Sequence, residues 1–343
     1  SRATLWWALA VVCLILVVAG LTAYNTAVKK ATWAINEGTL EVSDGLLGVR
    51  LWSLGGNPAV TGCQESPWSP ETLLVLIDGK VPVGKAFLAL SKATGDTLWI
   101  GRADEAVFEQ AYGPGTLSGG NLRPHLFRPA DLDGDGHPEV LVGFVHSTNS
   151  PYVIGWYSST GDLLGQYAHQ GHLNSIVAMD VDGDGRDEVL ASGTTNARAY
   201  QGAAMVILDE DHFTGAAVDP LAYPQSTVPD SSLVRLVLPN FPEPYMKTLQ
   251  SRRLHAMRIQ VYPGEAGDAR IRVEFGPDVK MIGILELDNQ LRPLGAHMRD
   301  DFLESMHTQL PDSLINGTGP ADPAWLAQWL DGHYRFQAGQ RIH

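Results

Sequence analysis

The chain has 343 residues, a formal net charge of −14 and 44% apolar residues, too apolar for a disordered protein and ordinary for a globular one. Cations occur singly or in pairs such as Arg252–Arg253, which excludes nucleic acid as a partner, because phosphate binding needs clustered Lys and Arg. Two cysteines, Cys13 and Cys63, exclude a disulfide framework and a CxxC zinc pattern.

Residues 3 to 28 carry no charge, and Leu5 to Leu21 is almost wholly apolar. A run of about twenty such residues spans the hydrocarbon core as a helix. Trp6, Trp7, Tyr24 and Trp33 suit its two interfaces. A cleaved signal peptide is the alternative, with a shorter core of ~7–15 residues. The expectation is a transmembrane anchor over 1–30 that meets the membrane through residues 4–24. Lys29 and Lys30 alone would place the carboxyl side in the cytoplasm. The chain starts at Ser1, so residues upstream are expected, and the count is set aside.

Residues 31–72 read as a juxtamembrane segment or a first degenerate blade. A faint repeat then runs along the chain as strand, polar turn, strand. Its copies are "TLEVSDGLLGVRLW", "AFLALSKATGDTLW", "YVIGWYSSTGDLLG", "MVILDEDHFTGAAV" and "MIGILELDNQLRPLG". Thr94-Gly95-Asp96 and Thr160-Gly161-Asp162 mark two equivalent hairpin turns. Such a period predicts radial repetition of small sheets.

Within residues 73–220 lie "DLDGDGHPEV" from Asp131 and "DVDGDGRDEV" from Asp180. They hold nine carboxylates; −14 less those nine charges leaves −5, so the acidity is largely a property of these stretches. Asp131, Asp133 and Asp135 stand at positions one, three and five, and Glu139 at nine. Asp180, Asp182, Asp184 and Glu188 repeat the spacing, and Asp187 is added at eight where the first copy has Pro138. Alternate carboxylates on a tight turn can face one centre, and calcium wants six to eight oxygens at about 2.3–2.6 Å. Gly134, Gly136, Gly183 and Gly185 permit the positive φ of such a turn. The carbonyls of His137 and Arg186, at position seven, can add one oxygen each. An EF-hand fails, because position twelve is Val142 or Ala191 and the following residues read as strands.

With their apolar lead-ins "PHLFRPA" and "NSIVAM", these stretches resemble the FG-GAP and VCBS repeat family, the calcium-loop blades also found in integrin α-subunit propellers. The resemblance implies a mainly β, propeller-like domain with two Ca2+ sites. Asp131, Asp133, Asp135 and Glu139 would form one, and Asp180, Asp182, Asp184 and Glu188 the other. Tight matching covers about residues 122 to 215. "LALSKATGDTLW" also resembles blades of pyrroloquinoline quinone enzymes, whose full blade set is not recognisable here.

Residues 221–298 are expected to add further β structure after a proline-rich insertion, Val218 to Lys247. The end, 299–343, reads as a short helical segment. Phe302, Leu303, Met306 and Leu310 have helical spacing, and Asp322 and Pro323 open a second helix with an apolar stripe of Trp325, Leu326, Trp329 and Leu330. Packing on the β-domain is the expected use of that stripe. His169 and His172 flank Gly171 and read as ordinary loop residues. "NGT" at Asn316 fits a glycosylation acceptor.

The expected function is a non-enzymatic module, anchored in a membrane with its bulk on the extracytoplasmic side, that binds another protein or a glycan. Extracellular calcium modules work at ~10⁻⁴–10⁻³ M, which sets that side. One alternative is the outer sensor half of a signalling protein whose cytoplasmic part lies upstream. A quinoprotein or hydrolase is another; the sequence holds no GxSxG elbow and no phosphate loop.

Overall fold

The computed structural model describes residues 11–23, 31–45, 48–55, 59–78, 86–114, 122–146, 152–197, 201–218, 226–264, 269–277, 281–309, 319–320, 322–337 and 340–342. Two compact units divide the chain, Ser1–Gly101 and Arg102–His343. The division falls inside the stretch expected as one run of blades.

The first unit opens with helix α1, residues 11–23, every one of them exposed. Thirteen residues at about 1.5 Å each reach ~20 Å, against ~30 Å of hydrocarbon. No helix among the described residues is long and apolar enough to cross a membrane. This overturns the expected single-pass anchor and the localisation built on it. Trp6, Trp7, Tyr24, Lys29 and Lys30 lie outside the described residues, as does Asn316.

Two antiparallel sheets follow in this unit. One is β1 (Thr32–Asn36), β2 (Thr39–Ser43) and β3 (Arg50–Leu54); the other is β4 (Ala59–Glu65), β5 (Thr72–Asp78), β6 (Ala86–Ser91) and β7 (Thr97–Gly101). Strand β5 is buried along almost its whole length, as an inner apolar strand should be. The Trp52 indole joins the sheets by donating to the Lys92 carbonyl at 2.8 Å. Its ring lies against Gly95, where a Cβ would come within 2.8 Å and φ is +78°. The Thr94-Gly95-Asp96 turn closes through Thr94 Oγ1 donating to Asp96 at 2.7 Å, and Thr160 repeats this to Asp162 at 2.7 Å.

The second unit starts with helix α2 (Glu105–Tyr112), capped by Asp104, whose carboxylate accepts from Ala106 N at 2.9 Å. Strands β8 (Leu122–Ala130), β9 (Glu139–His146), β10 (Tyr152–Tyr157) and β11 (Leu163–His169) form an antiparallel meander. Next come β12 (Leu173–Met179), β13 (Glu188–Thr195) and β14 (Gly202–Leu208), with the same up-and-down pairing. A third meander is β17 (Leu254–Pro263), β18 (Ala269–Pro277), β19 (Gly283–Asp288) and β20 (Pro293–Met298).

Three features depart from the expected pattern. The hairpin "MVILDEDHFTGAAV" does not close on itself: β15 (Gly215–Ala217) leaves β14 and pairs parallel with β11. The place beside β14 goes to β16 (Val234–Pro239), so the proline-rich stretch contains a strand and runs on into helix α3 (Glu243–Thr248). The end of the chain is not only helical. After α4 (Asp300–Gln309) and α5 (Pro323–Asp331), β21 (Tyr334–Gln337) and β22 (Gln340–Arg341) extend the sheet beyond β16. The tryptophan stripe packs inward as expected. Trp329 stacks on Phe275 at 5.5 Å, and Leu326 and Leu330 join the same core.

One buried polar set fixes the strand exchange. Arg235, on β16, pairs with Asp230 at 2.9 Å, with both side chains under 10% exposed. Asp230 also accepts from Ser232 Oγ at 2.7 Å and from the Tyr167 hydroxyl at 3.2 Å, and the guanidinium lies 4.1 Å from the Phe336 ring centroid. His169 is buried nearby, and burial with Arg235 at hand pushes its pKa down to about 4. Replacing Asp230 by Ala strands the guanidinium and is expected to cost about 3–5 kcal/mol in urea unfolding. The unfolded chain protonates His169 below its ordinary value of about 6.5, while the fold refuses the proton until about pH 4. Stability is therefore fully present above that window and falls as pH drops through it, by on the order of 3 kcal/mol at the acid end. His169→Gln should flatten that slope when unfolding is measured across the window.

Candidate metal centres

Each acidic stretch is a loop between two strands of one sheet, β8 to β9 and β12 to β13. Their glycines do what the sequence requires: φ is +70° and +81° at Gly134 and Gly136, and +85° and +93° at Gly183 and Gly185. A Cβ would meet nothing within 4 Å at Gly136, Gly183 or Gly185, so backbone angle, not space, selects glycine there.

The two loops share four hydrogen bonds. The Asp at position one accepts from the glycine amide at six, Asp131 from Gly136 N and Asp180 from Gly185 N, both at 3.0 Å. The Asp at three accepts from the amide at five at 3.1 Å in both loops. The Asp at five accepts from the amide at seven, His137 N at 2.7 Å and Arg186 N at 2.9 Å. The Glu at nine reaches back to the amide at two, Leu132 N at 3.1 Å and Val181 N at 2.7 Å. Backbone N–H groups thus hold the carboxylates in a fixed fan.

The fan converges. Oxygens of Asp131, Asp133, Asp135 and Glu139 lie within 4.8 Å of one another, as do those of Asp180, Asp182 and Glu188. Asp184 stands outside the second group. Asp135 and Asp184 both accept from the amide at seven, so that bond does not set them apart; the loops differ in that Asp180 Oδ1 also accepts from Gly183 N at 2.6 Å, whereas Asp131 Oδ1 has no partner among the described residues. His137 and Arg186 enter through their backbones. The Arg186 side chain leads away to Glu210 at 2.7 Å.

Burial sharpens the electrostatics. Glu139 and Glu188 are 6% and 4% exposed. Burial, with the aspartates beside it, pushes Glu188 up to about 7, and Glu139 is raised for the same first reason. The Trp156 indole donates to Glu139 at 3.3 Å. Asp131 Oδ1 is buried and has no hydrogen-bond partner among the described residues. Crowded oxygens, one of them orphaned and two belonging to buried carboxylates, fit the donor set of a hard cation such as calcium.

One residue at the site carries a role that the repeat alone does not reveal. Asp187 Oδ2 accepts from Asp131 N at 2.9 Å, and Asp187 N donates to the Asp131 carbonyl at 2.9 Å. The second loop thereby clasps the first across two sheets. Arg186 lies over Gly134, its Cγ 2.9 Å from where a Cβ would stand. The only sequence signal was the exchange of Pro138 for Asp187 at position eight. Asp187→Ala removes the side-chain half of the clasp and should cost about 1–3 kcal/mol, as for a hydrogen bond to a charged group, in chemical unfolding. Asp187→Asn, which keeps an acceptor, should recover part of it.

Residues 131–191 match the family model described as FG-GAP-like repeat. No curated protein matches the chain. Among solved structures it is similar to the Dos1 propeller at 13% identity, covering 78% of this chain and 54% of that one with a TM-score of 0.45. It is also similar to the β-propeller domain of Myceliophteria thermophila Cps50 (Swd1), at 9% identity over 78% of this chain and 68% of that one, TM-score 0.40. The dihydro-heme d1 dehydrogenase NirN is similar at 12% identity over 79% of this chain and 45% of that one, TM-score 0.42. The chain spans about half the length of the first of these. The stretch holding both acidic loops, residues 131–191, is thus an FG-GAP-like repeat.

Proposed function

We propose that the chain is a non-enzymatic, propeller-like binding module in which each acidic loop holds one calcium ion. The observation that carries this reading is the repeated fan of carboxylates, held by matching amides and converging within 4.8 Å in both loops. Asp131, Asp133, Asp135 and Glu139 would hold one ion. Asp180, Asp182 and Glu188 would hold the other, with Asp184 able to join by rotating its carboxylate toward them. The carbonyls of His137 and Arg186 are the remaining oxygens in reach of the loops by sequence.

The ion's role in this reading is structural. It neutralises carboxylates whose mutual repulsion and burial otherwise favour the protonated form. It also fixes the β8–β9 and β12–β13 connections, and through Asp187 the two sheets, so that the surface around them is presented rigidly. The ligand of that surface would be another protein or a glycan.

Calcium that binds the folded state alone stabilises it by about 2.7 kcal/mol per site at a hundredfold excess over Kd. The melting temperature should rise with calcium and fall on chelation, and calorimetric titration should resolve two ions. Asp133→Asn and Asp182→Asn should each remove one of them. An unchanged melting temperature with calcium and with chelator overturns the metal reading.

A further inference from the structure

A cavity of about 360 Å³ opens in the second unit, between the second acidic loop and the sheet of β17 to β20. Strand β17 packs on both β12 and β13, so its far end is brought beside the loop that joins them. Met179, Val261 and Pro263 give the cavity apolar walls, and Tyr262 gives it an aromatic ring. Asp182 from the loop and Asn289 from the turn after β19 supply side-chain oxygens. The volume lies in the range of small-molecule and side-chain pockets.

The lining carries carboxylates and, among the described residues, no cation. Asp180 also lines the cavity, but both its oxygens are taken by loop amides, Gly183 N at 2.6 Å and Gly185 N at 3.0 Å. Asp182 is bonded through Oδ1 alone, to Asp184 N at 3.1 Å, which leaves Oδ2 to accept. The Tyr262 ring is pinned. Its hydroxyl donates to Glu286, whose other oxygen accepts from Arg272 at 2.8 Å, and that guanidinium lies 5.6 Å from the ring centroid. Arg270, opposite Tyr262 on β18, lines a neighbouring cavity of about 330 Å³ together with Glu286. The nearby arginines are thus matched by Glu286 and do not line the acidic cavity. A calcium ion in the loop would not reverse its sign, since Asp180, Asp182, Asp184, Asp187 and Glu188 carry five negative charges against two.

We propose that this cavity takes an arginine side chain of a partner protein. The apolar walls cover its aliphatic stem. The planar guanidinium stacks on Tyr262 and divides its donors between Asp182 Oδ2 and the Asn289 carbonyl. The net charge of −14 draws such a partner in. A glycan is the less suited occupant, because its hydroxyls call for donors as well as acceptors and the Tyr262 hydroxyl is already given to Glu286. The proposal rests on the reading of the chain as a protein-binding module and not on the metal.

The test is amide NMR of the full chain titrated with a capped pentapeptide that holds one arginine among glycines, in calcium and again in chelator. The same peptide with glutamine or glutamate in the central place is the control. The Tyr262 and Asn289 amides should shift saturably with the arginine peptide in both conditions and not with the controls. Tyr262→Leu and Asn289→Ala should each weaken binding about fivefold. Tyr262→Phe, which keeps the ring, should retain it, and calcium-dependent melting should be unchanged in all three variants. No saturation, an equal response to a control peptide, binding lost whenever calcium is present, a saturable response to free monosaccharides in place of the peptide, or wild-type affinity in a folded Tyr262→Leu chain overturns the proposal. The calcium reading is scored separately by melting, so either can fail alone.

Discussion

Four carboxylates within nine residues repel one another, and the architecture of the repeat follows from how that repulsion is contained. Each aspartate is turned onto a backbone amide of its own loop, which needs the chain to double back within six residues. Only glycine takes the positive φ of that path at low cost. The amides disperse part of the negative charge, but they cannot serve every lone pair. What remains is concentrated on one buried glutamate per loop and on Asp131 Oδ1. In the proposed reading a cation completes that balance. Without one, Glu188 moves up to about 7 because burial and its neighbours disfavour its charge.

The containment is shared between sheets. Asp187 gives the Asp131 backbone both an acceptor and a donor, so the second loop holds the first in place. Pro138, at the matching position of the first loop, has neither a carboxylate nor an amide hydrogen. The clasp therefore runs one way, from the later loop to the earlier. The two loops are joined directly by these two hydrogen bonds, in addition to the core that the two sheets share.

Much of this was legible in the sequence because it is local. The loops, their glycine angles, the strands around them and the Thr-Gly-Asp turns each rest on residues within ten of one another. The runs that became β9 and β13 read as strands, and Pro323 and Asp322 marked the start of α5. The apolar amino-terminal run misled, because composition gives hydrophobicity but not helix length; no helix among the described residues is long and apolar enough to cross a membrane. Asp184 was equivalent by spacing and accepts the same amide hydrogen bond as Asp135, yet stands outside the converging group, since spacing fixes the backbone position and not the side-chain rotation. His172 read as a loop residue and lies between β11 and β12, but His169, read the same way, ends β11 and is buried, because Arg235 and the Thr194 carbonyl are brought to it only by strand pairing.

Strand exchange was illegible for a deeper reason. The hairpin repeat predicts that β15 returns to β14, but Gly215–Ala217 are three small residues with little apolar surface to set a register. Their partner is chosen by what surrounds them. Tyr112, from α2, donates to the Ala217 carbonyl at 3.0 Å and to the Ala168 carbonyl at 3.3 Å, tying β15 to β11. Pro229 accepts from Ala216 N at 2.9 Å on the other side. That leaves the edge of β14 open to β16, whose Arg235 is buried only because Asp230, Ser232 and Phe336 meet it there. Phe336 comes from the last strands of the chain, so the sheet that carries the second acidic loop is completed by residues more than a hundred positions away. Local repeats write the loops, and the far end of the chain decides the sheet in which one of them is mounted.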